Sequence, residues 1–203
     1  MNPTVQAQLE SIQAGTAGID FPDDLYELGS VVINNQTGEI VGIMGGRNWA
    51  SGGSMLLDHA TEQFNQPGST IKPVLDYALA FEDLGWATSH TVLDKPVTYG
   101  NWTFNNFDNT KWGVVDLPKA VGLSLNTVAI NTLQAVIDKS GVQRVTNYLT
   151  SLGFSQFRPE IFDISFAIGG GNMRVSAKEL AAATGVLING GNYIKPHTIN
   201  TIF

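Results

Sequence analysis

The sequence predicts an α+β fold: a partial antiparallel sheet packed against helices, with an all-helical region beside it and a cleft between the two. Three features carry that expectation. Two β-prone runs flank a glycine-containing turn near the start, capped helices at helical apolar spacing fill the middle, and a last β-prone run spans Ile194 to Phe203. A strand that begins so late needs a neighbour, so the sheet is expected to be incomplete in this chain. At roughly 100–200 residues per domain, 203 residues make one domain, or one with a piece missing.

Residues 1–26 are polar, allow a short helix over Pro3–Ala14, and run into the acidic cluster Asp20, Asp23, Asp24 and Glu27. Gly29–Asn34 and Glu39–Met44 then read as a hairpin around Asn35-Gln36-Thr37-Gly38. Its nearly continuous apolar runs suit strands covered on both faces. Gly45, Gly46, Gly52 and Gly53 mark a loop. A helix opens at Ser69, with Ile71, Val74, Leu75, Ala78, Leu79 and Phe81 on its apolar face. Pro73 fits its first turn, where amides lack intrahelical partners, and Gly85 is the expected stop.

Residues 86–112 read as an extended loop rich in Asn, Thr, Gly and aromatics. Asp116 caps a short helix through Val121, a break follows over Gly122–Asn126, and a longer helix starts near Thr127. Ser140/Gln143 and Ser176/Glu179 both fit the capping-box spacing and start two further helices. The second of these buries Leu180, Ala183, Val186 and Leu187 and stops at Asn189-Gly190-Gly191.

Composition removes several function classes. Eleven Lys and Arg stand against 18 Asp and Glu, a net charge of −7, which argues against a nucleic-acid partner and against an anionic membrane surface. Without cysteine there is no disulfide, thiol nucleophile or Cys-ligated metal. No apolar run approaches the roughly 18–20 residues that span a bilayer, and no signal peptide starts at Met1, so any anchor lies outside these residues.

The chemistry concentrates in two short motifs. Ser69-Thr70-Ile71-Lys72 places a hydroxyl at a helix start and an amine three residues on, on the same face. Serine is a weak nucleophile without a base, and a lysine serves as one when burial lowers its pKa. The helix N-terminus adds positive potential for a developing oxyanion. Taken alone, the tetrapeptide also fits an N-cap serine beside a surface lysine. Ser124-Leu125-Asn126 sits in the helix break, where a hydroxyl can relay a proton and a carboxamide can hold a substrate amide and orient the lysine. Alone it also fits a helix-linking turn.

Other candidates are weaker. His59, His90 and His197 are scattered and lack a metal-binding pattern; no metal or cofactor is expected. Gly45-Gly46-Arg47 and Gly169-Gly170-Gly171 lack the lysine and spacing of a phosphate loop, and no G-x-S-x-G elbow is present. Trp86, Trp102 and Trp112 either line a substrate groove or pack under loops.

Taken in this order, S-x-x-K and S-x-N resemble the first two motifs of penicillin-binding proteins and serine β-lactamases, whose third motif is of K-T-G type. Gln66–Pro73 is similar to the class A, bifunctional branch, and so are the hairpin, the aromatic and Asn-rich approach over Trp102–Asn126, and the segments Gly169-Gly170, Ser176–Ala182 and Asn189–Pro196. The resemblance spans about residues 25–203. It implies the penicillin-binding-protein/serine β-lactamase fold and a D-Ala-D-Ala transpeptidase of peptidoglycan cross-linking. In that role Ser69 is the nucleophile, Lys72 its base, Ser124 a proton relay and Asn126 the holder of the donor amide. Gly68 and Trp112 are the implied substrate-binding residues.

The third motif departs from the pattern. Lys139-Ser140-Gly141 has the right letters, but Gly141 leads into a helix and the run follows Asn126 too soon. The expectation is therefore a lead-in segment over 1–26 and, over 27–203, the front part of a transpeptidase domain that lacks the strand of the third motif. The implied partners are peptidoglycan stem peptides, β-lactams and the missing C-terminal part of the domain. The implied place of the parent protein is the outer face of the bacterial cytoplasmic membrane. Two alternatives stay open. One is a D,D-carboxypeptidase or β-lactamase using the same acyl-serine, although neither Glu160 nor Glu179 is placed by the sequence as a deacylating base. The other is an inert half-domain with a scaffold or binding role.

Overall fold

The computed structural model describes residues 1–23, 25–47 and 56–199. In chain order its elements are α1 (Pro3–Gln13), β1 (Ser30–Ile33), β2 (Ile40–Met44), a 3₁₀ turn (Gly68–Ile71), a π turn (Pro73–Tyr77) and α2 (Ala78–Leu84). Then follow β3 (Thr91–Asp94), β4 (Val97–Tyr99), β5 (Trp102–Phe104), β6 (Gly113–Asp116), α3 (Leu117–Gly122), α4 (Asn126–Ser140), α5 (Val142–Ser151), two 3₁₀ turns (Pro159–Ile161 and Ile164–Ile168) and α6 (Ala177–Gly185). The glycines Gly52 and Gly53, Asp24 of the acidic cluster and positions 200–203 of the expected closing strand lie outside the described residues.

The contacts divide the chain into two units. One comprises Met1–Asn65, Leu152–Ser155 and Arg174–Phe203. Within it β1 and β2 form the expected antiparallel hairpin, with Ser30 opposite Met44 and a bulge between Val32 and Ile33. α1 is capped by Asn2, whose side chain accepts from Thr4 N at 3.0 Å and Val5 N at 3.3 Å. It packs over β2 at Gly42, where a Cβ would come within 2.8 Å of Val5 Cγ1. The strands are less covered than expected: β2 buries alternate residues, Ile40, Gly42 and Met44, and Val32 of β1 is exposed. α6 carries the predicted capping box in both directions, Glu179 N to Ser176 Oγ at 3.2 Å and Ser176 N to Glu179 Oε2 at 3.1 Å. It ends at Gly185, so Leu187, expected inward, is exposed. Among the described residues the closing segment makes one parallel bridge, His197 with Glu39.

The other unit, Gln66–Ser151 and Gln156–Met173, buries α4 at its centre through Val128, Ala129, Ile130, Leu133 and Val136. Gly85 ends α2 in the left-handed conformation, φ 63°, as predicted. Phe81, predicted inward, is exposed. The region read as all-helical also holds two small sheets, β3 with β6 and β4 with β5, both antiparallel. β3, β4 and β5 lie in the segment read as loop and β6 follows it directly, because three- or four-residue runs such as Thr91-Val92-Leu93 and Val97-Thr98-Tyr99 already suffice for a paired ribbon. Among the described residues the antiparallel pairing amounts to three two-stranded sheets, consistent with the incomplete sheet expected.

α3 starts as predicted, with Asp116 Oδ1 accepting from Lys119 N at 3.0 Å. The capping box predicted at Ser140/Gln143 does not form. Ser140 is the last residue of α4, Gly141 (φ 81°, ψ 158°) turns the chain, and Gln143 Nε2 instead donates to Asn147 Oδ1 at 2.8 Å.

Candidate active site

The segment that begins at Gly68 is not the uniform α-helix expected from Ser69. Pro73 has no amide hydrogen and cannot join an i→i−4 ladder. The Lys72 amide closes a 3₁₀ bond onto Ser69 O, and the helix then widens into the π turn, where the Ala78 amide reaches Pro73 O. Such local departures from α geometry recur at functional sites. In a 3₁₀ turn residues three apart lie over one another, which keeps Ser69 and Lys72 on one side. Ser69 is exposed, while Lys72 is only 2% exposed.

Gly68 is held from behind. Its φ is 56°, and its amide donates to Gly169 O at 3.3 Å. Gly169 has φ 65°, and a Cβ there would overlap the Gly68 backbone. Both positions therefore need glycine, one for its conformation and the other for conformation and close approach.

The helix break supplies the facing groups. After α3 the chain turns through Ser124 at φ 52°, a left-handed conformation uncommon outside glycine. This turn leaves the Ser124 carbonyl free to accept from Lys72 Nζ at 2.7 Å, and Ser124 Oγ accepts at 3.2 Å. Asn126, the first residue of α4, accepts through Oδ1 at 2.7 Å and donates through Nδ2 to Asn105 O at 3.2 Å. Three acceptors match the three hydrogens of an ammonium.

Burial nevertheless pushes the Lys72 pKa down to about 8, an effect that Asp76 partly offsets whenever its carboxyl is ionised. Asp76 lies one helical step behind on the π turn, fully buried, and neither of its oxygens has a hydrogen-bond partner among the described residues. Burial pushes its carboxyl well above the usual carboxylate range, with Lys72 pulling in the opposite direction.

A cavity of about 450 Å³ is lined by Ser69, Ser124, Asn126 and the loop residues Asn106, Phe107, Asp108 and Trp112. So Ser69, Ser124, Asn126 and Trp112 share one cavity, and Lys72 is hydrogen-bonded to two of them. Gly68 is not among the lining residues; it adjoins Ser69 through the backbone. Trp112 has Lys119 Nζ over its ring, 4.2 Å from the centroid. Trp86 stacks on His90 at 3.7 Å against the core, and Trp102 is largely exposed. Phe107 and Asp108 went unnoticed in the sequence, although the Asn- and aromatic-rich run around them was the available signal.

The model of the penicillin-binding protein transpeptidase domain matches residues 28–203. The chain belongs to that family. Penicillin-binding protein 1A/1B of Bacillus subtilis (strain 168) is 32% identical over 205 residues, which cover 100% of this chain and 21% of that protein. Penicillin-binding protein 4 of the same organism is 30% identical over 86% of this chain and 27% of its own length. The chain thus spans about a quarter of the length of these curated relatives. The crystal structure of penicillin-binding protein 1A from Haemophilus influenzae superimposes with a TM-score of 0.71 at 26% identity, covering 84% of this chain and 25% of that one. PonA1 of Mycobacterium tuberculosis in complex with penicillin V shares the fold, with a TM-score of 0.75 at 22% identity over 97% of this chain and 52% of that one.

In this penicillin-binding-protein transpeptidase domain, Lys139 and Ser140 close α4 and Gly141 joins it to α5, so the one Lys-Ser-Gly run lies on no strand. Glu179 is committed to the α6 cap and to the Ser155 amide, which donates to its Oε1 at 2.9 Å. Among the described residues no helix is long and apolar enough to cross a membrane.

Proposed function

We propose that this chain carries the acylating groups of a D-Ala-D-Ala transpeptidase, the peptidoglycan cross-linking activity, with Ser69 as nucleophile. The observation that carries the reading is Lys72: a buried amine with its pKa lowered to about 8, hydrogen-bonded to Ser124 and Asn126 beside the cavity that Ser69 lines. At pH 7 a pKa near 8 leaves about a tenth of the lysine neutral, against roughly three in ten thousand at the ordinary value. Neutral Lys72 takes the Ser69 proton as Oγ bonds to the carbonyl carbon of the penultimate D-Ala. The peptide C–N bond then breaks, and Ser124 passes the proton to the leaving D-Ala amine. An acceptor amine later attacks the acyl-serine, forms the cross-link and returns Ser69 to its hydroxyl form.

Asn126 holds the donor amide, the backbone before Ser69 at Gly68 and the Trp112 side of the cavity bind the donor, and the Ser69 amide supplies one oxyanion donor. The reading draws the second donor and the cation of the K-[ST]-G element from outside residues 1–203, and places the parent protein at the outer face of the cytoplasmic membrane. β-Lactams react in the same way, the ring C–N bond breaking as Ser69 is acylated.

The test is intact-mass spectrometry after incubation with benzylpenicillin, on this chain and on one extended to include a K-[ST]-G strand. An adduct that maps to Ser69 and disappears in Ser69→Ala is expected, strongest in the extended chain. An adduct on another residue, or none on the folded extended chain, overturns the reading.

A further inference from the structure

Helix α4 starts without a cap of its own. Its N-cap residue is Leu125, which has no side-chain acceptor, although the first turn of any helix leaves amides that need one. The acceptor comes from upstream in sequence. Asn106 Oδ1 accepts from Asn126 N at 2.8 Å and from Thr127 N at 3.4 Å.

The orientation of that amide is itself set. Asn106 Nδ2 donates to Asp94 Oδ1 at 2.8 Å and to Thr110 O at 3.0 Å, so a flipped amide would oppose donor to donor at α4 and acceptor to acceptor at Asp94. Asp94 ends β3 and is 1% exposed. Its oxygens also accept from Thr127 Oγ1 and, at 2.7 Å, from Trp112 N. One buried carboxyl group therefore joins β3, the cavity loop and the first turn of α4.

We propose that Asp94 is a positioning residue for acyl transfer, holding through Asn106 and Thr127 the turn that presents Asn126 to Lys72, and through the Trp112 amide the aromatic side of the cavity. The inference rests on the acyl-transfer reading of the site. Its force comes from geometry: the Asn126–Lys72 hydrogen bond is short, and displacements of about 1 Å at a reacting site can cost 10²-fold in rate. Buried networks of this kind specify one arrangement only when every member is satisfied.

The experiment compares wild type with Asp94→Ala, Asp94→Asn and the reversed pair Asp94→Asn/Asn106→Asp. Three quantities are read: the Lys72 titration by NMR of ¹³Cε-labelled lysine, amide exchange at Asn126 and Thr127, and the rate of acylation by benzylpenicillin. In Asp94→Ala the Lys72 ammonium loses its well-placed Asn126 acceptor, so the Lys72 pKa should fall further below about 8, by half a pH unit or more. Exchange at the two amides should accelerate at least tenfold, and acylation should fall at least tenfold. The reversed pair keeps the bond between the two side chains and an acceptor for α4, so it should recover at least half of the loss seen in Asp94→Asn. The Lys72 titration separates positioning from a merely structural contribution, which would leave it unchanged in a folded variant.

The proposal is overturned if folded Asp94→Ala leaves the Lys72 titration and both exchange rates within twofold of wild type. It is equally overturned if the reversed pair is no better than the single variants. Should Asp94→Ala fail to fold, Asp94→Asn is read by the same criteria. If the wild-type chain extended to include a K-[ST]-G strand takes no benzylpenicillin, the acyl-transfer reading fails, while titration and exchange still decide whether Asp94 positions Asn126.

Discussion

Lys72 Nζ donates to Asn126 Oδ1 at 2.7 Å, joining the end of the 3₁₀ turn to the first residue of α4. The acceptor is neutral, and that matters for a base. A carboxylate at the same place would stabilise the ammonium and raise its pKa. Asn126→Asp changes little in size, so the fold should persist. The pH at which acylation reaches half its maximum should move upward from about 8 by at least one unit, with roughly tenfold slower acylation at pH 7. A pH–rate profile with benzylpenicillin checks this; an unchanged midpoint would mean that Lys72 is not the base being titrated.

Gly169 should be intolerant of any side chain. Its φ is 65°, and a Cβ would drive into the Gly68 backbone next to Ser69. Gly169→Ala is expected to cost about 2 kcal/mol or more, through strain at a left-handed position and overlap with backbone that cannot yield. The neighbouring Gly170→Ala is the control, because its Cβ would come no closer than 3.4 Å to Ser165 O. Urea melts of the two variants give the comparison.

What could be read from the sequence was what one turn of chain contains. Asp116 and the Ser176/Glu179 box were legible because each cap and its amide lie within three residues. The same spacing misled at Ser140/Gln143, where Gly141 leaves Ser140 inside the preceding helix. Asn126 was legible as a carboxamide able to orient the lysine, whereas the Ser124 carbonyl that also accepts from Lys72 was not. The cap that Asn106 lends to α4, and the Asp94 behind it, were invisible, because they link residues 12 to 33 positions apart that meet only once β3 and the cavity loop are folded. Pro73 signalled a helix start, whereas it marks the passage from 3₁₀ to π geometry.

Asp76 should give the fold a pH-dependence of defined sign. Its carboxyl is fully buried and its pKa is raised, so the folded state holds a proton that the unfolded state releases above about pH 4. Below that value both states are protonated and the group contributes no slope. Above it, stability falls as pH rises through the raised native value, by up to about 1.4 kcal/mol per pH unit. Asp76→Asn, which cannot ionise, should remove this decline. Chemical denaturation from pH 4 to 8 should show the variant gaining on wild type with increasing pH. Parallel curves would mean that Asp76 is ionised in the folded state.

Phe107 is 99% exposed, yet it lines the cavity with Ser69 and Ser124. A side chain that buries nothing contributes little to folding, so Phe107→Ala should leave stability within about 0.5 kcal/mol of wild type. Covering even half of the ring on ligand binding removes enough apolar area to be worth about 1–2 kcal/mol, or roughly 5- to 30-fold in affinity. The concentration of benzylpenicillin giving half-maximal acylation rate should rise by that factor in Phe107→Ala, with the limiting rate nearly unchanged. Trp112 cannot give so clean a comparison, because its ring already carries Lys119 and its amide is bound to Asp94. A Phe107→Ala variant that instead lowers the limiting rate would move this residue from binding the ligand to orienting the acylated serine.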